Sequence, residues 1–255
     1  MAATLRYILI TTLRDRIVLA ISLALLAATG IGAFFGAAAL AEGRQLGLAY
    51  GGEISRFVLA LGLIAFVSFH IRRMHETREI EAILARPISR ASFVFACFLA
   101  YAFVAVLLAL ETVPLMMLVF GAQGAGFLVW EASLLLECCI IIAMALFCSM
   151  ALSSAGGALL ASFGFYAFGR SAMFFFDIAR NGTGATYQGE TNQALNGMID
   201  VLASLAPRLD LFGQSQWLIY GPGGGWGIGT LLLQTAIYVP LLLGATIRDL
   251  QIKRF

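Results

Sequence analysis

Long apolar stretches separated by short polar segments dominate this chain. Six of them, at about residues 17–40, 48–70, 91–120, 130–152, 155–176 and 226–247, are long enough to cross a bilayer, where a helix needs about 20 mostly apolar residues. The second has its core at 57–69 and reaches back through a Gly-rich approach. In hydrocarbon every backbone donor and acceptor must be satisfied inside the protein, so runs of this length fold as helices. The expected fold class is an all-α membrane protein: one transmembrane domain over residues 1–255 with six spans.

Two further segments carry helical periodicity without being spans. In 76–86, Ile80, Ile83 and Leu84 fall on one face, which Pro87 continues, and Arg78, Glu79, Glu81 and Arg86 fall on the other. Pro87 disfavours helix at the residue before it. The spacing predicts a short amphipathic helix between spans two and three. In 198–212, Met198, Val201, Leu202, Leu205, Leu209 and Phe212 recur at helical spacing around Pro207, with Asp200, Ser204, Arg208 and Asp210 interleaved. Such a segment lies in, or dips into, the membrane interface. Residues 181–196, rich in Gly, Thr, Asn and Gln, read as an exposed loop.

Composition agrees with a lipid solvent. Hydrophobic residues make up 61% of the chain and charged residues 12%, with a mean hydropathy of +0.92. An ordinary soluble domain carries about 25% charged residues, so a soluble enzyme and a disordered chain are both excluded. The net charge of +2 provides no global field for nucleic acid, and of the 16 cationic residues all but Lys253 are arginine. The first span is preceded by Arg6, Arg14 and Arg16 and ends near an A-x-A sequence, as a signal peptide does. Its apolar run exceeds the ~7–15 residues of a signal core, so it is read as an uncleaved span.

Arginines are distributed unevenly between the two sets of loops. The N-terminal segment, the 72–90 loop (Arg72, Arg73, Arg78, Arg86, Arg90) and the C-terminal tail (Arg248, Lys253, Arg254) hold most of them. The other set holds Arg44, Arg56, Arg180 and Arg208. The positive-inside rule places both termini and the 72–90 loop in the cytoplasm.

No catalytic set emerges. His70 and His75 stand about 140° apart around a helix and do not share a face for one metal. Cys97, Cys138, Cys139 and Cys148 lack metal or disulfide spacing and read as buried apolar residues. Residues 221–227 (GPGGGWG) lack the lysine and the Ser/Thr of a phosphate-binding loop. Ionisable residues within spans are functional candidates by default. Glu111, Glu137 and Arg170 come out at similar depth in the outer half, where they pair inside the bundle or line a translocation path. Gly32 and Gly36 form a G-x-x-x-G that permits close helix contact and weakly supports dimerisation.

The helix at 76–86 and its exit carry a family resemblance. Residues 81–90 (EAILARPISR), leading into a long span, resemble the segment between spans two and three of ABC-2-type permeases, the membrane subunits of one class of ABC transporter. Residues 205–212 (LAPRLDLF) followed by 218–221 (LIYG) look like the stretch before the last span of that family, and Arg248-Asp249 is similar to its usual ending. Family members often have Gly-Thr just before the helix, where this chain has Arg78-Glu79.

The resemblance implies a permease that works as a dimer, with itself or with a second permease chain, in a bacterial inner membrane. Two copies of a separately encoded ATP-binding-cassette ATPase would bind ATP and Mg and grip a coupling helix formed by Glu76, Arg78, Glu79, Glu81, Ile83, Leu84, Arg86, Pro87 and Arg90. Leu205, Pro207 and Phe212 would belong to an outer gate. This chain itself would carry no cofactor and no ATPase activity. Export of a lipid, amphiphile or drug-like molecule is the commonest role in the family. The alternatives are a permease for protein or metal-centre maturation, as in nitrous-oxide-reductase assembly, or, in other classes, an integral membrane enzyme or an ATP-independent channel or carrier.

Overall fold

The computed structural model describes residues 2–85, 88–172, 174, 207–221 and 227–252, and every regular element among them is helical. A helix not anticipated from the sequence, α1 (Ala2–Leu13), comes first. It is followed by α2 (Arg16–Ala38), α3 (Gly43–Glu76), α4 (Glu79–Leu84), α5 (Arg90–Phe120), α6 (Ala125–Ala151) and α7 (Ala155–Arg170). A 3-10 turn at Leu209–Leu211, the short helix α8 (Gln216–Tyr220) and α9 (Ile228–Ile252) complete the described chain.

Five of these helices, α2, α3, α5, α6 and α9, are long and apolar enough to cross a membrane. The protein is therefore membrane-embedded. Of the stretch expected as the fifth span, 155–176, residues Ala155–Arg170 form α7, whose 16 residues extend about 24 Å at ~1.5 Å per residue. The Asp15 carboxylate starts α2 by accepting from the Ile17 amide at 3.0 Å. Ser89 does the same for α5 at Ser92 (3.2 Å) and Ser154 for α7 at Gly157 (3.0 Å). Each satisfies an amide that has no partner within its own helix.

The second span is longer than its apolar core. The Gly-rich approach is helical because its glycines form a seam with α2. A Cβ on Gly32 would stand 2.5 Å from the Gly51 Cα, and one on Gly36 2.7 Å from the Gly43 carbonyl oxygen. The Phe120 ring fills the other side of the seam, 2.8 Å from a Cβ on Gly47 and 2.9 Å from one on Gly51. The G-x-x-x-G at Gly32 and Gly36 is thus used within the chain. At the far end Arg72 and Glu76 pair one turn apart at 2.9 Å, so α3 runs on to Glu76. Glu76 closes α3 and is not part of the following amphipathic helix.

Helix α1 and the close of α9 lie at the same end of the bundle. The Arg90 guanidinium donates to the Leu250 carbonyl near the close of α9, and Tyr7 of α1 reaches Glu79 of α4 at 3.3 Å. This is called the terminal end below. Residues 207–221 cover part of the opposite end. A Cβ on Gly52 would meet Leu218 at 2.8 Å, and a Cβ on Gly126 would overlap the Trp217 carbonyl.

Candidate functional site

The opposite end contains a network of buried charge. Arg56 sits on the face of α3 turned to α6, and its side chain is 1% exposed. Its Nη1 donates to Glu137 Oε2 at 2.5 Å, and Nη2 donates to the Ser133 hydroxyl at 3.0 Å and to the Trp130 carbonyl at 3.3 Å. The guanidinium carbon stands 5.1 Å from the centre of the Trp130 ring. A cation over an indole face is attracted by the ring quadrupole, more so when desolvated. One turn back on α3, Glu53 accepts from Arg170 Nη2 at 2.5 Å and from the Ser215 hydroxyl at 2.5 Å. Arg170 Nη1 lies 3.8 Å from Glu137 Oε1 and donates to the Leu209 carbonyl at 3.3 Å.

Two carboxylates and two guanidiniums thus form one neutral quartet spanning α3, α6 and α7. Neutrality matters, since an unpaired charge in a low-dielectric interior costs several kcal/mol. The quartet also holds the 207–221 segment: Ser215 through Glu53, Leu209 through Arg170, and Phe212 through its carbonyl, 3.0 Å from the Ser133 hydroxyl. Gly213 passes so close to Arg170 that a Cβ there would overlap the guanidinium.

Of the intramembrane trio anticipated from the sequence, Glu137 and Arg170 meet and Glu111 does not join them. Glu111 accepts from Ser22 of α2 at 2.6 Å. It lines a cavity of about 430 Å³ that Arg14 and Arg16 also line. Arg56, counted with the loop cations, is instead a buried member of α3. The sequence did carry one signal for it: Glu53 and Arg56 both fall within the span expected at 48–70 and, three residues apart, share a helix face. Of the anticipated outer-gate residues, Phe212 is fully buried and Pro207 partly buried against α7, where a Cβ on Gly169 would approach the Pro207 carbonyl to 2.7 Å. Leu205 lies outside the described residues.

At the terminal end, α4 joins α3 to α5. Ile80 is 1% exposed and packs into the core, Ile83 packs against its edge, and Glu81 faces out. Glu79 is taken by neighbours, accepting from Tyr7 at 3.3 Å and from the Thr77 hydroxyl at 3.0 Å. What burial Tyr7 has, together with this carboxylate, holds its phenol above the usual tyrosine range. Arg78 precedes the helix with φ of +55°, in the left-handed region that favours glycine. Nothing is described of Arg86, Pro87 or the Leu84 side chain, which were anticipated on the same helix. Beside α4, Asp15 meets His70 at 3.5 Å and Arg73 at 3.9 Å. The His70 ring sits between Phe66 and Tyr101, with centroids 5.7 and 5.6 Å away. Arg72 Nη1 donates to the Ser153 carbonyl at 2.5 Å, which ties the end of α3 to the α6–α7 turn.

The sequence matches no protein-family model and no curated protein.

Proposed function

We propose that this chain is a permease subunit of an ATP-driven transporter of the ABC-2 type, and that α4 is the element through which a separate ATPase acts on it. The observation that carries the reading is the construction of α4. A membrane-bundle helix of six residues would be unstable alone. Here it is anchored by Ile80 and by the Tyr7–Glu79 contact, and it presents Glu81 outward. A push on α4 reaches α3 and α5 directly, because it is their connection, and α1 through Tyr7. Two helices that both run to the opposite end then move as levers, which is how a bistable bundle is biased from one side.

On this reading the terminal end is cytoplasmic, in keeping with its arginines. Helix α7, which starts at the α6–α7 turn of the terminal end and finishes at Arg170 in the quartet, supplies a sixth crossing. The quartet with the 207–221 segment forms the closed outer mouth. A second permease chain and two ATPase copies complete the assembly in a bacterial inner membrane, and the exported substrate is an amphiphile.

A photo-crosslinking residue at position 81, in native membranes, tests this. The expected adduct is an ATP-binding-cassette ATPase. Glu81→Arg is expected to lower transport-linked ATP hydrolysis while inserting normally. Glu81 is a cleaner probe than Glu79, whose reversal also disturbs Tyr7. An adduct set without such an ATPase, or coupled hydrolysis unchanged by Glu81→Arg, overturns the reading.

A further inference from the structure

The hinge between α1 and α2 carries two cations without a counter-charge. Arg14 and Arg16 flank Asp15, and both are exposed. Asp15 is turned the other way. One of its carboxylate oxygens caps α2 at Ile17, and the other faces His70 and Arg73 of α3. Among the described residues, no carboxylate forms an ion pair with Arg14 or Arg16.

The two guanidiniums belong to the wall of a groove. A cavity of about 430 Å³ runs between α2 and α5, lined by Arg14, Arg16, Leu19, Ser22, Leu107 and Glu111 among others. Arg16 opens α2, and Ser22 lies about 9 Å further along the helix axis. There the Ser22 hydroxyl donates to Glu111 at 2.6 Å, which gives the groove a polar floor. Leu19 and Leu107, 65% and 43% exposed, line it between the arginines and that floor.

Helix length sets this groove at the membrane surface. The 23 residues of α2 extend about 34 Å, against a hydrocarbon core about 30 Å thick. Arg16 at the start of α2 therefore stands at headgroup level, and Leu19 and Leu107 face the outermost hydrocarbon. A ligand that suits this order carries negative charge at the surface and apolar chains directly beneath it. Glu111 repels an anion from the floor, so the negative group belongs at the arginines. A zwitterionic lipid brings its own ammonium to offset its phosphate, whereas an anionic lipid leaves that charge for the protein to neutralise. Basic pockets between spans hold anionic headgroups on this principle.

We propose that the groove at the α1–α2 hinge binds an anionic phospholipid, with its phosphate between Arg14 and Arg16 and its acyl chains over Leu19 and Leu107. The site belongs to the chain in its bilayer and stands or falls independently of any ATPase.

Native mass spectrometry of the full-length chain, released from detergent after titration with phosphatidylglycerol or phosphatidylcholine, tests it. One phosphatidylglycerol is expected to bind at concentrations where phosphatidylcholine does not, and inorganic phosphate at the same concentration is expected not to displace it. Arg14→Gln and Arg16→Gln should each raise the half-saturating phosphatidylglycerol concentration about five-fold, and the double variant about 25-fold. Arg6→Gln removes an exposed arginine of α1 outside the cavity and should leave that concentration unchanged. Leu107→Trp keeps both arginines and fills the groove, so it should weaken phosphatidylglycerol binding too. Equal binding of the two lipids overturns the proposal. So does a loss in Arg6→Gln equal to that in Arg14→Gln, which makes the attraction a property of surface charge alone. Binding unmoved by Leu107→Trp removes the groove, and displacement by inorganic phosphate removes the lipid; either result overturns it.

Discussion

Arg170, the last residue of α7, places its guanidinium 2.5 Å from the Glu53 carboxylate, 117 positions earlier in the chain. The same guanidinium approaches Glu137 on α6 and holds the Leu209 carbonyl. A short helix is thereby fixed to two long ones at its end, where its own last carbonyls have no helical partners.

Arg56 and Glu137 form the most deeply buried pair of that cluster. Arg56→Met alone should destabilise the protein by about 3–5 kcal/mol, because it leaves Glu137 without its closest counter-charge in the interior. Glu137→Gln alone should act in the same direction. The double variant should recover most of the loss. A double-mutant cycle in reversible unfolding from mixed micelles checks this, and additive losses would show that the two side chains are not coupled.

Glu53 and Arg170 are more open, at 36% and 25% exposure, and solvent screening reduces what such a pair contributes. Glu53→Gln should cost less than half of what Glu137→Gln costs in the same unfolding assay. Gly213→Ala should disturb the same contact from the other side, since its methyl group claims the space of the Arg170 guanidinium. Faster proteolysis within 207–221 in both variants, with the rest of the bundle protected, is the expected pattern.

The α2–α3 seam makes a steric prediction. Gly32→Val sets branched carbons against the Gly51 backbone, which cannot yield as a side-chain tip would. Overpacking of this kind costs about 1–3 kcal/mol or more. Gly30→Val on the same helix meets open space and should leave the unfolding temperature near wild type. Equal effects of the two would argue against the seam.

Arg78 offers the reverse case. A non-glycine residue in the left-handed region costs roughly 1–2 kcal/mol, partly offset for glycine by its greater freedom in the unfolded chain. Arg78→Gly should therefore leave stability unchanged or slightly raised, measured by thermal unfolding in detergent. A clear loss would mean that the Arg78 side chain holds α4 in a way its backbone does not reveal.

The sequence by itself determined the solvent, the helical class, the positions of the long apolar helices to within a few residues at most ends, and the amphipathic nature of α4. These follow from local pattern: apolar length sets a span, and the alternation of Ile80 and Ile83 with Glu79 and Glu81 sets a two-faced helix. Tertiary structure alone decided which polar groups meet. Arg56 read as a loop cation although it falls within the span expected at 48–70, because it stands just before the apolar core at 57–69. The helix reaches back to Gly43, where Gly32, Gly36 and Phe120 pack against its glycines. Glu111 and Glu137 looked alike along the chain, yet one turns to Ser22 and the other to Arg56, because the rotation of each helix about its axis is fixed by its neighbours.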